Sequence, residues 1–244
     1  MTVPRVEPPM AAGSARTTKP PFTLVIEAST YRASVAVLSE TAVVAEVDVA
    51  TGRAHHEHLM PAVVAVLERA GIGVAALDRV VCGSGPGSFT SLRIAAALGK
   101  GLVTRPGGPR LASVPSLLLI VAGAAGQLAD GAYVASLDAL RGERHAALVT
   151  IEGSAARGGV TRLVIRDAAR RLPADAVSAW ARAASATMIG PECAVDAWPV
   201  ARGVLRVWDA VRDVDLETWE PDYGRLAEAE ARRVALSVTD PPPA

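Results

Sequence analysis

The chain is short of most features that mark a secreted, membrane-spanning or broadly nucleic-acid-binding protein. It has two cysteines in 244 residues. Cys82 and Cys193 show no Cys-x-x-Cys spacing, which excludes a disulfide framework or thiolate metal site and leads us to expect reduced thiols in the cytoplasm. The longest apolar stretch, Leu117 to Ala125, is interrupted by Gly123 and falls far below the roughly 20 residues a membrane span needs. Basic and acidic residues balance at 25 each, so the chain alone lacks the electrostatic footprint of a nucleic-acid binder. Lysine is almost missing, with only Lys19 and Lys100. Beside the heavy use of Ala, Arg, Val and Gly, that reads as the bias of a GC-rich genome. The first twenty residues carry four prolines and no apolar run of the kind a secretory signal requires. Residues 1–21 are therefore expected to form a disordered extension, and residues 237–244, with Pro241-Pro242-Pro243, a disordered tail.

What is present is ample core material, with 50% hydrophobic residues, enough for one large or two small domains. The most specific stretch is Val80-Val81-Cys82-Gly83-Ser84-Gly85-Pro86-Gly87-Ser88-Phe89-Thr90-Ser91-Leu92-Arg93, an apolar strand that runs through a glycine-rich turn into a small-residue helix. Glycines permit a tight reversal, and Ser88 or Thr90 is placed to cap the helix. A P-loop is excluded because no Lys-Ser or Lys-Thr follows the turn. A dinucleotide fingerprint is excluded because Ser88 stands where it needs glycine. The turn still offers backbone N–H groups to an anion or a protein.

The same turn, Gly85 to Ile94, resembles the GPGSFTGLRIG signature of the TsaB (YeaZ) family. Leu24-Val25-Ile26-Glu27-Ala28-Ser29-Thr30 is similar to that family's opening strand, LAIDTST, and Ala33 to Leu38 to its second strand. His55-His56-Glu57-His58-Leu59-Met60-Pro61 resembles HSERLLP, Asp138 to Arg144 resembles DARRGEV, and Glu220 to Arg225 resembles EPLYLR. Together these matches run from residue 22 to residue 230. Glu27 departs from the usual Asp, Ser91 from Gly, and His56 and His58 from Ser and Arg.

Strand patterns over Thr23–Glu27, Ala33–Ser39 and Ala42–Val49 are followed by a helix from Glu57 to Ala70 with Gly71 as its stop. A strand over Leu77–Cys82 and a helix over Thr90–Val103 come next. Three antiparallel strands, then helix, strand and helix, is the half-domain unit of the actin-like ATPase superfold. The implied fold is α/β, with two related lobes of mixed sheet flanked by helices: an N-terminal lobe over 22–109 and a C-terminal lobe over 110–236. In the second lobe we expect a strand at Leu111–Val114, a helix over Pro115–Leu128, and strands at Tyr133–Leu137, Arg144–Glu152 and Thr161–Ile165. A helix over Asp175–Ala184, a strand at Thr187–Ile189 and a terminal helix over Tyr223–Ala235 complete it.

Actin-like kinases hold phosphates on two hairpins, each pairing an acid with a nearby glycine. Here both are weakened. Glu27 is followed by Ala28 and Ser29, and Asp138 by Ala139, Leu140 and Arg141 before Gly142. His55, His56 and His58 match no metal-binding pattern and read as a polar helix start. Ser84 and Ser88 lie at the wrong spacing for a nucleophile elbow. No catalytic residue, metal or cofactor is therefore expected.

The resemblance implies a non-catalytic subunit that supports a TsaD-like catalytic subunit in threonylcarbamoyl transfer to the adenosine beside the tRNA anticodon. A TsaE-like ATPase would be a further partner, tRNA would be met through the complex, and the free chain would be able to form a homodimer. By the same resemblance two helices would supply the partner interface through Leu59, Val63, Leu67, Leu92, Ala96 and Gly99, beside signature-turn residues Gly85, Gly87, Ser88, Phe89 and Arg93. The alternative is an ATP-binding small-molecule kinase or ATPase of the same superfold.

Overall fold

The computed structural model describes residues 21–50, 58–153 and 161–224. Outside them lie nearly all of the expected N-terminal extension, the tail, His55, His56 and Glu57, and the expected terminal helix beyond Gly224.

Three antiparallel strands open the fold: β1 (Phe22–Glu27), β2 (Arg32–Leu38) and β3 (Val43–Ala50). Helix α1 (Leu59–Ala70) follows, then β4 (Leu77–Gly83) parallel to β1, α2 (Phe89–Val103), and β5 (Arg110–Val114) parallel to β4. In α1, Leu59, Ala62, Val63, Val66 and Leu67 are buried, the i, i+3, i+4, i+7 stripe of a helix with one face on a core. Gly71 ends it at φ 65°, a left-handed position that suits glycine.

After α3 (Ser116–Ala124) come β6 (Gly131–Asp138), β7 (Glu143–Glu152) and β8 (Arg162–Pro173), then α4 (Ala174–Ala183) and β9 (Thr187–Ile189). A short β10 (Arg212–Asp213) returns to pair with β5. Two sheets result, ordered β10-β5-β4-β1-β2-β3 and β8-β7-β6-β9.

Helix α3 lies between them. Every residue from Ser116 to Ala122 is buried, as expected of a helix that is apolar all round. Its side chains join Val25, Ala36 and Val81 of the first sheet to Ala135, Ala147 and Val149 of the second in one cluster. On the opposite face of the first sheet, α1 and α2 cover Leu24, Ile26, Val35 and Val80. On the far side of the second sheet, α4 covers Val134 and Ala146.

Several expectations are corrected. The strand at Leu111–Val114, read as opening the second lobe, pairs with β4 and belongs to the first sheet. The helix foreseen to Leu128 ends at Ala124 and gives way to a 3₁₀ turn over Ala125–Gln127. Strand β8 runs to Pro173, eight residues past its expected end at Ile165, because β7 pairs with it as far as Glu143. Neither Tyr223 nor Gly224 is helical.

Candidate functional site

The signature turn is built by close approaches of backbone. A Cβ on Gly85 would meet the Asp222 carbonyl oxygen at 2.1 Å, and one on Gly87 would meet the Ser29 carbonyl oxygen at 2.2 Å. Both positions therefore require glycine. The Gly85–Pro86 peptide bond is cis. The Ser84 N–H donates to the Val114 carbonyl at 2.8 Å, the Ser88 N–H to the Ser29 carbonyl at 2.7 Å, and the Gly85 N–H to Ser116 Oγ at 3.1 Å. These three amides are spent within the chain.

Ser88 occupies the N-cap position of α2 without a side-chain cap. Its hydroxyl instead accepts from Ser91 Oγ at 3.0 Å. Thr90 lies inside the helix, exposed. The capping expectation is thus corrected for both residues. Ser91, a departure from the family's glycine, is accommodated through that hydroxyl pair.

Glu27 sits at the end of β1, fully buried. Its Oε1 accepts from the Ser29 N–H at 2.6 Å and its Oε2 from Ser116 Oγ at 2.8 Å. Gly83 makes room, since a Cβ there would lie 2.0 Å from Oε2. Burial pushes the Glu27 carboxyl above its usual range, opposed by the hydrogen bonds of Ser29 and Ser116. The Ser29 hydroxyl is near enough to lower that pKa, yet lies outside hydrogen-bonding geometry. Glu27 fastens β1 to the start of α3 and does not face the cleft as a metal-holding acid would. Cys82, beside it, has its thiol pushed up to about 12 by burial and by the Glu27 charge.

A cavity of about 540 Å³ lies between the β1–β2 turn and the β6–β7 turn. Ser29, Thr30, Tyr31, Gly87, Ser88 and Phe89 line one side, and Asp138, Arg144, His145 and Arg171 the other. Asp138 is exposed, and its Oδ1 accepts from the Leu140 N–H of its own hairpin at 2.9 Å. His145 is buried, and that burial lowers its pKa, as does Arg171, against Asp222, Asp138 and Glu143.

Residues 221–224 strap the two sheets together. The Asp222 N–H donates to the Ser84 carbonyl at 2.8 Å. The Tyr223 ring lies 4.6 Å from that of Phe89, and the Arg93 guanidinium sits 4.5 Å above the Phe89 ring. Gly224, at φ 66°, packs on His145, where a Cβ would be 2.1 Å from Cε1. Two segments read separately in the sequence, the glycine turn and the Glu220–Arg225 stretch, therefore form one unit. A buried acid inside an otherwise apolar strand was the signal for Glu27's partner, but nothing local pointed to Ser116.

The expected interface residues are placed differently. Leu59, Val63, Leu67, Leu92 and Ala96 are buried in the chain's own core. Gly99 is buried too, and a Cβ there would lie 2.4 Å from Cys82 Sγ. Leu59, Val63 and Leu67 pack on the first sheet, Gly99 lies against Cys82 of β4, and Leu92 lies beside Gly85. The same helices expose Met60 and Val64 on α1, and Arg93 and Ala97 on α2.

His58 is exposed just before α1, and no cluster of three His, Cys, Asp or Glu able to hold a metal occurs among the described residues. Among the described residues, no helix is long and apolar enough to cross a membrane.

Two sheets flanked by helices, with a cleft between corresponding hairpins, define the actin-like ATPase fold. A family model described as TsaD, tRNA N6-adenosine threonylcarbamoyltransferase, matches residues 44–181. That is more than half of the chain, and the chain belongs to this family. The relatives it matches are TsaB and YeaZ proteins. Bacillus subtilis (strain 168) tRNA threonylcarbamoyladenosine biosynthesis protein TsaB is 33% identical over 125 residues, 51% of this chain and 53% of that protein. The match thus spans about half the length of this curated relative. YeaZ from Pseudomonas aeruginosa superposes with a TM-score of 0.68 at 24% identity, covering 83% of this chain and 99% of that one. A Pseudomonas aeruginosa protein described as similar to the peptidase YeaZ gives the same TM-score and identity over 84% of this chain and 100% of its own. Both bear on the fold alone.

Proposed function

We propose that this chain is a non-catalytic subunit of tRNA threonylcarbamoyladenosine biosynthesis, supporting a TsaD-like catalytic subunit. The observation that carries this reading is the withdrawal of the first hairpin's acid, Glu27, from the cleft. Glu27 is locked between Ser29 and Ser116, and Asp138 accepts from its own turn. That leaves Asp138 as the one hairpin acid of the two that faces the cleft, where a metal-bound phosphate would be positioned by an acid on each hairpin. The Ser84, Gly85 and Ser88 amides of the signature turn are likewise engaged inside the chain.

The partner surface in this reading is the outward face of α1 and α2. Both helices cover the same side of the first sheet, so Met60, Val64, Arg93 and Ala97 point away from it together. A TsaE-like ATPase joins the same assembly, tRNA is reached through the complex in the cytoplasm, and the free chain pairs with itself through the same face. The 22–109 and 110–236 lobes retain their roles in this reading, with β5 contributed across the boundary to the first sheet.

The purified chain is expected to show no transferase or ATPase turnover by itself. Multiple turnovers per minute, abolished by Glu27→Ala, would sink the reading and favour the kinase or ATPase alternative.

A further inference from the structure

We infer that the outer face of β8 holds the sugar–phosphate backbone of tRNA, with Arg162, Arg166 and Arg170 on the phosphates. The inference rests on the pathway reading above and names the surface by which this chain meets the RNA inside the assembly.

Charge is balanced over the whole chain, at 25 basic and 25 acidic residues, but not along this strand. Residues 162–171 hold four arginines and a single acid, Asp167. Strand β8 ends the second sheet, with β7 as its one neighbour among the described residues. Arg162 stands opposite Glu152 and Arg170 opposite Ala146, and Arg166 Nε donates to Thr150 Oγ1 at 3.0 Å. Ala146, Thr150 and Glu152 alternate onto the same side of β7, so the three arginines share one face. Helix α4 packs at the Ala146 end of that face, yet all three arginines are exposed. The row spans about 20 Å at the rise of a strand.

The neighbouring carboxylates do not use these arginines up. Arg166 pairs with Glu152 and Arg170 with Asp167, and the two arginine side chains remain 49% and 55% exposed. Ion pairs so open to water hold weakly, and a phosphate can take the place of the carboxylate. Arg162 takes part in none of the ion pairs among the described residues. The planar fork of arginine suits phosphate oxygens. The Arg170 guanidinium also lies 5.4 Å above the ring of Trp180 in α4, a stacked plane of the kind on which an unpaired base rests.

The register of β8 against β7 shifts on either side of Leu148. Such bulges, with a row of charges, keep another strand from pairing along the edge. What meets this face is therefore met by side chains, and three exposed guanidinium groups in a row complement a polyanionic backbone. The pathway proposed above acts on one such polyanion, tRNA.

Fluorescence anisotropy of a labelled, unmodified tRNA transcript tests this, titrated at several salt concentrations with the purified assembly of this chain and the TsaD-type subunit. The double variant Arg162→Gln/Arg166→Gln should weaken binding by about tenfold at about 0.1 M salt and lower the slope of log affinity against log salt by about 2. Glu152→Gln, which releases Arg166 from its carboxylate, should tighten binding severalfold. That opposite sign is one a merely structural role would not produce, and it decides the matter if the double variant does not fold. An unchanged affinity and salt slope in the double variant, no tightening by Glu152→Gln, or variants that weaken only the contact with the TsaD-type subunit would overturn the inference. If the two chains do not assemble, the proposed function fails. The same ranking is then read on the free chain at low salt, where absence of tRNA binding overturns this inference as well.

Discussion

Glu27 and Ser116 stand 89 positions apart in the chain and meet at 2.8 Å in the buried centre of the protein. One is the last residue of β1 and the other the first of α3, so this single bond ties the first sheet to the helix between the sheets. The Ser116 hydroxyl also accepts from the Gly85 N–H, which brings the signature turn into the same node. Ser116→Ala would leave a buried carboxylate oxygen and a buried amide without a partner. It should cost about 1–3 kcal/mol per unsatisfied group, read as a lower urea midpoint with an unchanged slope.

The buried carboxyl also sets a pH dependence. Its folded pKa is raised above the ordinary 4.5, so above that value the folded protein holds a proton more tightly than the unfolded chain. Stability therefore falls as pH rises from about 4.5 through the folded pKa. Glu27→Gln removes this slope. Urea unfolding from pH 5 to pH 8 should show wild-type stability declining relative to the variant, and parallel curves would count against a raised Glu27 pKa.

Two glycines in neighbouring elements should respond oppositely to a methyl group. At Gly83 the added Cβ would lie 2.0 Å from Glu27 Oε2 and 2.8 Å from Ser116 Oγ, so Gly83→Ala should destabilise by about 3 kcal/mol through overpacking. At Gly101, inside α2, nothing lies within 4 Å. Gly101→Ala should stabilise by about 0.5–1 kcal/mol by restricting the unfolded chain and favouring helix. Thermal melts of the two variants check both signs.

The cysteines should be chemically distinct. With its thiol pushed up to about 12 and fully buried, Cys82 should not react with a disulfide reagent at pH 8 until the protein unfolds. Cys193 is partly exposed and should react first, since only the accessible thiolate attacks. Counting labelled thiols with and without denaturant distinguishes them.

His145 lies under Gly224, where the strap crosses from one sheet to the other. Burial and Arg171 keep its pKa below the ordinary 6.5. The unfolded chain therefore takes up a proton first as pH falls, and stability should drop below about pH 6.5 through this residue. An NMR titration of its Cε1 proton should show a midpoint below 6.5. Gly224→Ala, which forces a Cβ against the ring, should shift that resonance.

Much of the fold was legible in the sequence because it rests on local patterns. The apolar stripe of α1 and its glycine stop, the alternating first strands and the glycine-rich entry to α2 each carry their signal within a dozen residues. What the sequence hid depends on long-range pairing. Strand β5 follows a proline- and glycine-rich linker and so reads as the start of a new lobe, yet its partner β4 lies in the first sheet. The strap over residues 221–224 is fixed by Ser84, Phe89 and His145, none of them near it in the chain. On α2, the resemblance implies a partner stripe through Leu92, Ala96 and Gly99, all of them buried within the chain. Gly99 is glycine because Cys82 of β4 lies directly beneath it, and Leu92 packs beside the glycine turn at Gly85. Periodicity identifies that stripe but does not say which neighbour covers it.

Assembly through the outward faces of α1 and α2 is tested by co-purification with the TsaD-type subunit of the same organism. A stable complex is expected by size-exclusion chromatography, broken by Val64→Arg or Ala97→Arg, with the variants' own melting temperatures nearly unchanged because both positions are exposed. A chain that ignores the TsaD-type subunit, or a complex that both arginine variants still form, would contradict it.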